Sequence, residues 1–172
     1  MLTSAKQSQS QIVIGPKADK LFNVGKINMK IYLDNSCFNR PFDDQSQIRI
    51  RLESEAKLRI QEEIQKGHVE LIWSYILDYE NNRNPFQERK DRINGWKKYV
   101  TVYIQESNDL IEMANSLNKE GFPKIDSLHI ACAVISKCEY FLTTDDKVLK
   151  LSTIIKEINI NDPIGFIKEV LS

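Results

Sequence analysis

From Lys30 onward, short β-rich runs alternate with stretches of helical periodicity. That alternation constrains the chain to an α/β architecture, with a central, mainly parallel sheet flanked by helices. Strands are expected at about 30–34, 68–73, 99–104, 139–143 and 157–161. Helices are expected at about 46–66, 74–82, 86–98, 108–120, 126–137 and 145–155, and a last one carries Pro163 in its first turn. In the long helix from 46, Ile48, Leu52, Leu58 and Ile64 recur near helical spacing, and Gly67 marks its end. Ser74 is suited to cap the helix that follows the second strand. A polar loop containing Pro41 joins the first strand to the long helix.

In open α/β sheets, ligands bind beyond the carboxyl ends of the strands, where helix N-termini also point. Asp34 closes the first strand, and Asp145 follows the run from Tyr140 to Thr144. Between them, Glu80 and Asp126 fall at or near the starts of helical stretches. Carboxylates that converge in space repel one another unless a cation neutralises them, and Mg²⁺ or Mn²⁺ prefer such oxygen ligands. The pattern therefore points to a metal-dependent phosphodiester hydrolase. Each acid also has an ordinary structural role. Asp34 and Asp126 can cap a turn or helix, Asp145 and Asp146 suit a helix N-terminus, and Glu80 can be a solvated charge. Asp78 and Glu80 lie about 200° apart on a helix, so only one of them faces the top of the sheet. Asn35, Ser36 and Thr143 are small polar neighbours able to orient the acids. His129 follows Asp126 by one turn of a helix that reads as buried, where a histidine is more often packed than functional.

A length of 172 residues suits one domain, and equal numbers of basic and acidic side chains, 24 of each, leave the global charge silent about partners. Cys37, Cys132 and Cys138 are an odd set without metal-ligand spacing, which favours reduced thiols and a cytoplasmic protein. No apolar run reaches the ~18 residues needed for a membrane span. Residues 1–28, rich in Ser, Gln and Lys, read as a loosely held extension, natural or introduced ahead of Met29. Within that extension, only 11–14 resembles a strand. Arg83, Arg89, Lys90, Arg92, Lys97 and Lys98 cluster with Phe86, Trp96 and Tyr99, a mixture suited to single-stranded nucleic acid or to an amphipathic helix. Arg40 is a separate candidate for substrate contact.

The run from Met29 to Ser36, the pair Ser74 and Glu80, the segment Asp126 to Ala133 and the run Phe141 to Asp145 resemble, in order and spacing, the successive motifs of the PIN-domain family. The resemblance spans about 29–172. It implies a three-layer PIN-like fold and Mg²⁺- or Mn²⁺-dependent cleavage of single-stranded RNA, as in the VapC-like ribonuclease toxins of toxin–antitoxin pairs. By the same resemblance, Asp34, Glu80, Asp126 and Asp145 form the acidic site and Asp146 is an auxiliary metal ligand. Ser36 and Thr143 support the first acid. Asp34 and Asp145 would be direct ligands, with Glu80 holding waters around the cation. A homodimer and an antitoxin partner are further implications. Asn35 departs from the commoner Thr or Ser at its position, and the segments from 46 and around 82–98 are longer than in compact members.

Two other readings remain. A non-catalytic PIN module would bind RNA or a protein partner and keep the acids as caps and rim charges. A phosphatase-like enzyme would use Asp34 as nucleophile, but such sites commonly carry a second Asp two residues on, where Ser36 stands.

Overall fold

Ile31, Tyr32 and Leu33 have no exposed surface, and every residue of Val69–Ser74 is buried. Consecutive buried positions on a strand, whose side chains alternate between faces, require a sheet covered on both sides. The structure, a computed structural model, describes residues 12–14 and 29–172. Six strands form one sheet: β1 (Ile12–Ile14), β2 (Met29–Leu33), β3 (Val69–Ser74), β4 (Val100–Ile104), β5 (Tyr140–Leu142) and β6 (Asn159–Asn161). Their order is β1-β4-β3-β2-β5-β6. All neighbours are parallel except β1 and β4, which pair antiparallel with Ile12 opposite Ile104. The expected α/β class with a mainly parallel sheet flanked by helices is what the chain adopts. The rest of the segment 1–28 lies outside the described residues.

The helices are α1 (Asn35–Asn39), α2 (Ile48–Lys66), α3 (Tyr75–Asn82), α4 (Gln87–Asn94), α5 (Asn108–Lys119), α6 (Lys124–Ile135), α7 (Asp146–Lys150) and α8 (Pro163–Phe166). Ser74 caps α3 as expected, its hydroxyl accepting from the Leu77 N–H at 3.4 Å. Gly67 ends α2 with a left-handed φ of +77°. Its N–H reaches the Ile64 carbonyl while that of His68 reaches Glu63, each at 3.0 Å, a closure that glycine makes without strain.

Four expectations need correction. The loop after the first strand contains a helix, α1, nucleated because the Asp34 carboxylate accepts the N–H groups of Ser36 and Cys37. In α2, Ile48, Leu52 and Leu58 are exposed, and the buried stripe instead runs through Glu53, Lys57, Ile60, Gln61 and Ile64. Apolar periodicity misplaced that face because half of it is polar. The stretch 86–98 is α4 followed by a 3-10 turn over Gly95–Tyr99, since glycine weakens the helix there. α7 stops at Lys150, short of 155, where Ser152 and Thr153 are poor helix formers.

Candidate functional site

The chain builds outward from β2 through β3 to β4, then returns to the other flank of β2 with β5 and β6. The strand order therefore reverses between β2 and β5, and a crevice opens beyond their carboxyl ends at such a switch point. Asp34 directly follows β2, and Asp145 stands three residues after β5. The cleft here measures about 340 Å³ and is lined by Asp34, Asn35, Ser36, Asn39, Glu80, Ile125, Asp126, His129 and Asp145. The four acids singled out in the sequence thus meet in one place. Asp146 does not line it.

Asp34 is 3 % exposed and serves as the N-cap of α1. Its Oδ1 accepts the Ser36 N–H at 2.6 Å and the Ser36 hydroxyl, and its Oδ2 accepts the Thr143 hydroxyl at 2.5 Å. Burial pushes its carboxyl above the usual range, against the lowering effect of His129 and of these hydrogen bonds. Thr143 Oγ1 also accepts the Asp145 N–H at 3.0 Å, so one hydroxyl ties the ends of β2 and β5 together. Asp145 caps α7 by accepting the Lys147 N–H at 2.8 Å. Cap and cleft position are compatible in both aspartates.

Glu80 is held from below. Its Oε2 lies 2.5 Å from His129 Nε2, His129 Nδ1 lies 2.6 Å from the Tyr32 hydroxyl, and that hydroxyl lies 2.6 Å from Ser74 Oγ. His129 is therefore both packed and adjacent to the site. Tyr32 and Ser74 fall within the motifs of the PIN resemblance but take no role at the site from it, reading as a strand aromatic and a cap. Asp78, the other acid of α3, is taken up by the Trp73 indole N–H at 2.9 Å, the Tyr103 hydroxyl at 2.6 Å and Lys97 at 2.5 Å.

Asp126 is the third residue of α6 rather than its cap, the cap position being Pro123. Its carboxyl is pushed up to about 6 by burial first, then by the negative charges of Asp34 and Asp145, with a smaller push from Glu80. The folded-state value lies above 3.8, so between about pH 4 and 6 the native protein holds more protons than the unfolded chain. Stability in cation-free buffer is expected to fall as pH rises through that window. Asp126→Asn should lessen the fall, the raised Asp34 carboxyl keeping part of it, and, after allowance for partial solvent screening, stabilise the protein by about 1–2 kcal/mol at pH 7.5. Urea titrations of both proteins at pH 4.5 and 7.5 check this, and parallel pH profiles would refute it.

Among the described residues, no group of three or more His, Cys, Asp or Glu stands ready as a metal cage. The donor chemistry nevertheless fits a hard cation. Four carboxylates face the cleft, the charges of the other three raise the proton affinity of Asp126, and no Lys or Arg is among the residues lining it. Asp146 is turned away and pairs with Arg49 at 2.6 and 2.9 Å.

The basic candidates also lie away from the cleft lining. The Arg40 guanidinium binds Glu53 at 2.8 Å and Asp43 at 3.2 Å, and reaches the Thr144 carbonyl at 3.4 Å. Arg83 stacks on Tyr79 at 4.0 Å and Arg89 on Phe86 at 4.3 Å. Arg92 pairs with Glu88 at 2.9 Å, Lys97 with Asp78 as described, and Lys98 lies 5.0 Å from the Tyr99 ring centroid. The Lys90 carbonyl accepts from Asn81 at 3.1 Å. Asn39, which had no sequence signal, links the cleft to this region through Asn84 at 3.1 Å.

No family model matches the sequence, and no curated protein matches it. The fold is similar to a chain in the crystal structure of VapBC2 from Rickettsia felis bound to a DNA fragment from their promoter. The two share 12 % identity with a TM-score of 0.50, over 78 % of this chain and 98 % of that one. At that identity the likeness is one of fold, and it agrees with a PIN-like architecture.

Proposed function

We propose that this chain is a divalent-metal-dependent endoribonuclease that cleaves single-stranded RNA, with Asp34, Glu80, Asp126 and Asp145 as its catalytic carboxylates. The observation that carries this reading is the meeting of four carboxylates, from four separate segments, in one cleft at the switch point of the sheet. The sequence resemblance and the PIN-like fold support it. Asp34 and Asp145 would hold Mg²⁺ or Mn²⁺ directly and Asp126 directly or through water, with Asp146 available only if its pairing with Arg49 opens. Bound there, the cation would lower the pKa of a water and stabilise charge on the attacked phosphate. The chain itself orients the acids: Ser36 and Thr143 fix Asp34, and the Tyr32–His129 pair fixes Glu80. No nucleophilic side chain is required.

The same resemblance, together with a fold shared with a VapBC2 chain, supports a cytoplasmic toxin that acts as a homodimer and is held inactive by an antitoxin protein. A mixed pool of single-stranded RNA tests the reading. Cleavage is expected with Mn²⁺, and not with chelator or in Asp126→Asn. Failure of the folded protein to cleave in Mn²⁺ would overturn it. A non-catalytic module is favoured by one observation, the absence of a ready three-ligand cage among the described residues. That reading expects no cleavage and no rise in unfolding temperature on adding Mn²⁺.

A further inference from the structure

Lys57 is 4 % exposed, yet its ammonium has no carboxylate and no hydrogen-bond acceptor among the described residues. It lies over ring faces instead, with Phe38 at 5.3 Å and Trp96 at 5.7 Å from the centroids. One turn further along the same face of α2, Gln61 is also 4 % exposed, and its Nε2 finds no acceptor. Both side chains line a cavity of about 260 Å³ whose walls include Phe38, Phe42 and Trp96, with Arg92 at its rim. The cavity is distinct from the carboxylate cleft. α1 gives Asn35, Ser36 and Asn39 to the cleft and Phe38 to this cavity.

A cation on a largely buried side chain without a carboxylate partner, and a buried amide nitrogen without an acceptor, are each costly. Burial lowers the Lys57 ammonium to about 8, consistent with that cost. No Asp or Glu is among the lining residues, and the charge of Arg92 is already answered by Glu88 at 2.9 Å. The cavity therefore offers one unanswered positive charge and one free donor, set among aromatic walls. Its volume is below the ~300–1,000 Å³ typical of sites for drug-sized molecules.

We propose that this cavity binds a small aromatic monocarboxylate, its carboxylate received by Lys57 and Gln61 and its ring packed against Trp96 and Phe42. A carboxylate supplies the acceptor that buried Gln61 Nε2 lacks and a counter-charge for Lys57, through charge-assisted hydrogen bonds. A flat ring suits aromatic walls. A dianion such as a phosphate monoester would bring a second charge with no partner inside. The inference is independent of the nuclease reading, since neither RNA nor a metal enters it.

Calorimetric titration with phenylacetate and its neutral analogue phenylacetamide tests it. Saturable binding of phenylacetate is expected, with phenylacetamide about tenfold weaker or more. Lys57→Met should weaken phenylacetate to the level of the amide. Because Lys57→Met changes a packed side chain, Gln61→Glu is the companion variant. It places a carboxylate one turn from Lys57 as an internal counter-ion, so it should reduce phenylacetate binding about tenfold without lowering the thermal midpoint. No saturable binding, equal binding of acid and amide, or unchanged binding in Gln61→Glu would each overturn the proposal and leave Lys57 as a packing residue.

Discussion

Asp34→Asn is expected to lower metal-dependent RNA cleavage on the order of 10³-fold or more while the protein remains folded. The substitution keeps the shape of the side chain and removes its charge. Its amide oxygen can still accept the N–H groups of Ser36 and Cys37, so the cap of α1 survives. What changes is the side facing Thr143, whose hydroxyl donates to Asp34 Oδ2 and also accepts from the Asp145 N–H. An amide NH₂ there competes with that arrangement and should cost about 1 kcal/mol. Single-turnover cleavage rates, measured beside urea midpoints, separate the two effects. Cleavage at the wild-type rate would remove Asp34 from the proposed site, whatever the midpoint.

Glu53→Ala carries the largest expected loss of stability, about 3–5 kcal/mol. Glu53 is 1 % exposed, accepts the Arg49 Nε–H on Oε1 and forms an ion pair with Arg40 Nε through Oε2, both at 2.8 Å. Removing it leaves the Arg40 guanidinium, mostly shielded from water, with Asp43 as its one carboxylate partner among the described residues. It also frees the side chain that reaches the Thr144 carbonyl, next to Asp145. The thermal midpoint should fall by about 2–4 °C for each kcal/mol lost. A loss under about 1 kcal/mol would mean that solvent screens the network, as at exposed ion pairs. Glu53→Gln, which keeps an acceptor, should lose less than Glu53→Ala.

The strand–helix alternation made the sheet legible, because strands buried on both faces and capped helices leave local signatures. Asp34 and Asp145 were legible as strand-end acids for the same reason. Their adjacency had no local signal and came only from the motif order of the resemblance, since β2 and β5 pair across more than a hundred residues of intervening chain. Helical geometry alone did not choose between Asp78 and Glu80, and only the motif spacing from Ser74 singled out Glu80. Trp73, Tyr103 and Lys97, each local to another element, separate them by occupying Asp78. Arg40 read as a free cation because its buried partner, Glu53, sits on the polar half of a helix face that apolar periodicity cannot mark. The site's support through Tyr32 and His129 was hidden similarly, each residue having an ordinary reading in its own segment.

The antiparallel pairing of Ile12–Ile14 with β4 bears on how the protein avoids edge-to-edge strand pairing with its own copies. A strand at the rim of a sheet is a template for recruiting another chain, and β1 covers that rim on β4. A shortened protein starting at Met29 would retain all four acids of the cleft but leave the backbone of Val100–Ile104 open along one side. Light scattering of the shortened protein and of residues 1–172 should therefore show concentration-dependent association beyond a dimer in the former alone. The segment ahead of Met29 would then act as a guard against strand-mediated aggregation.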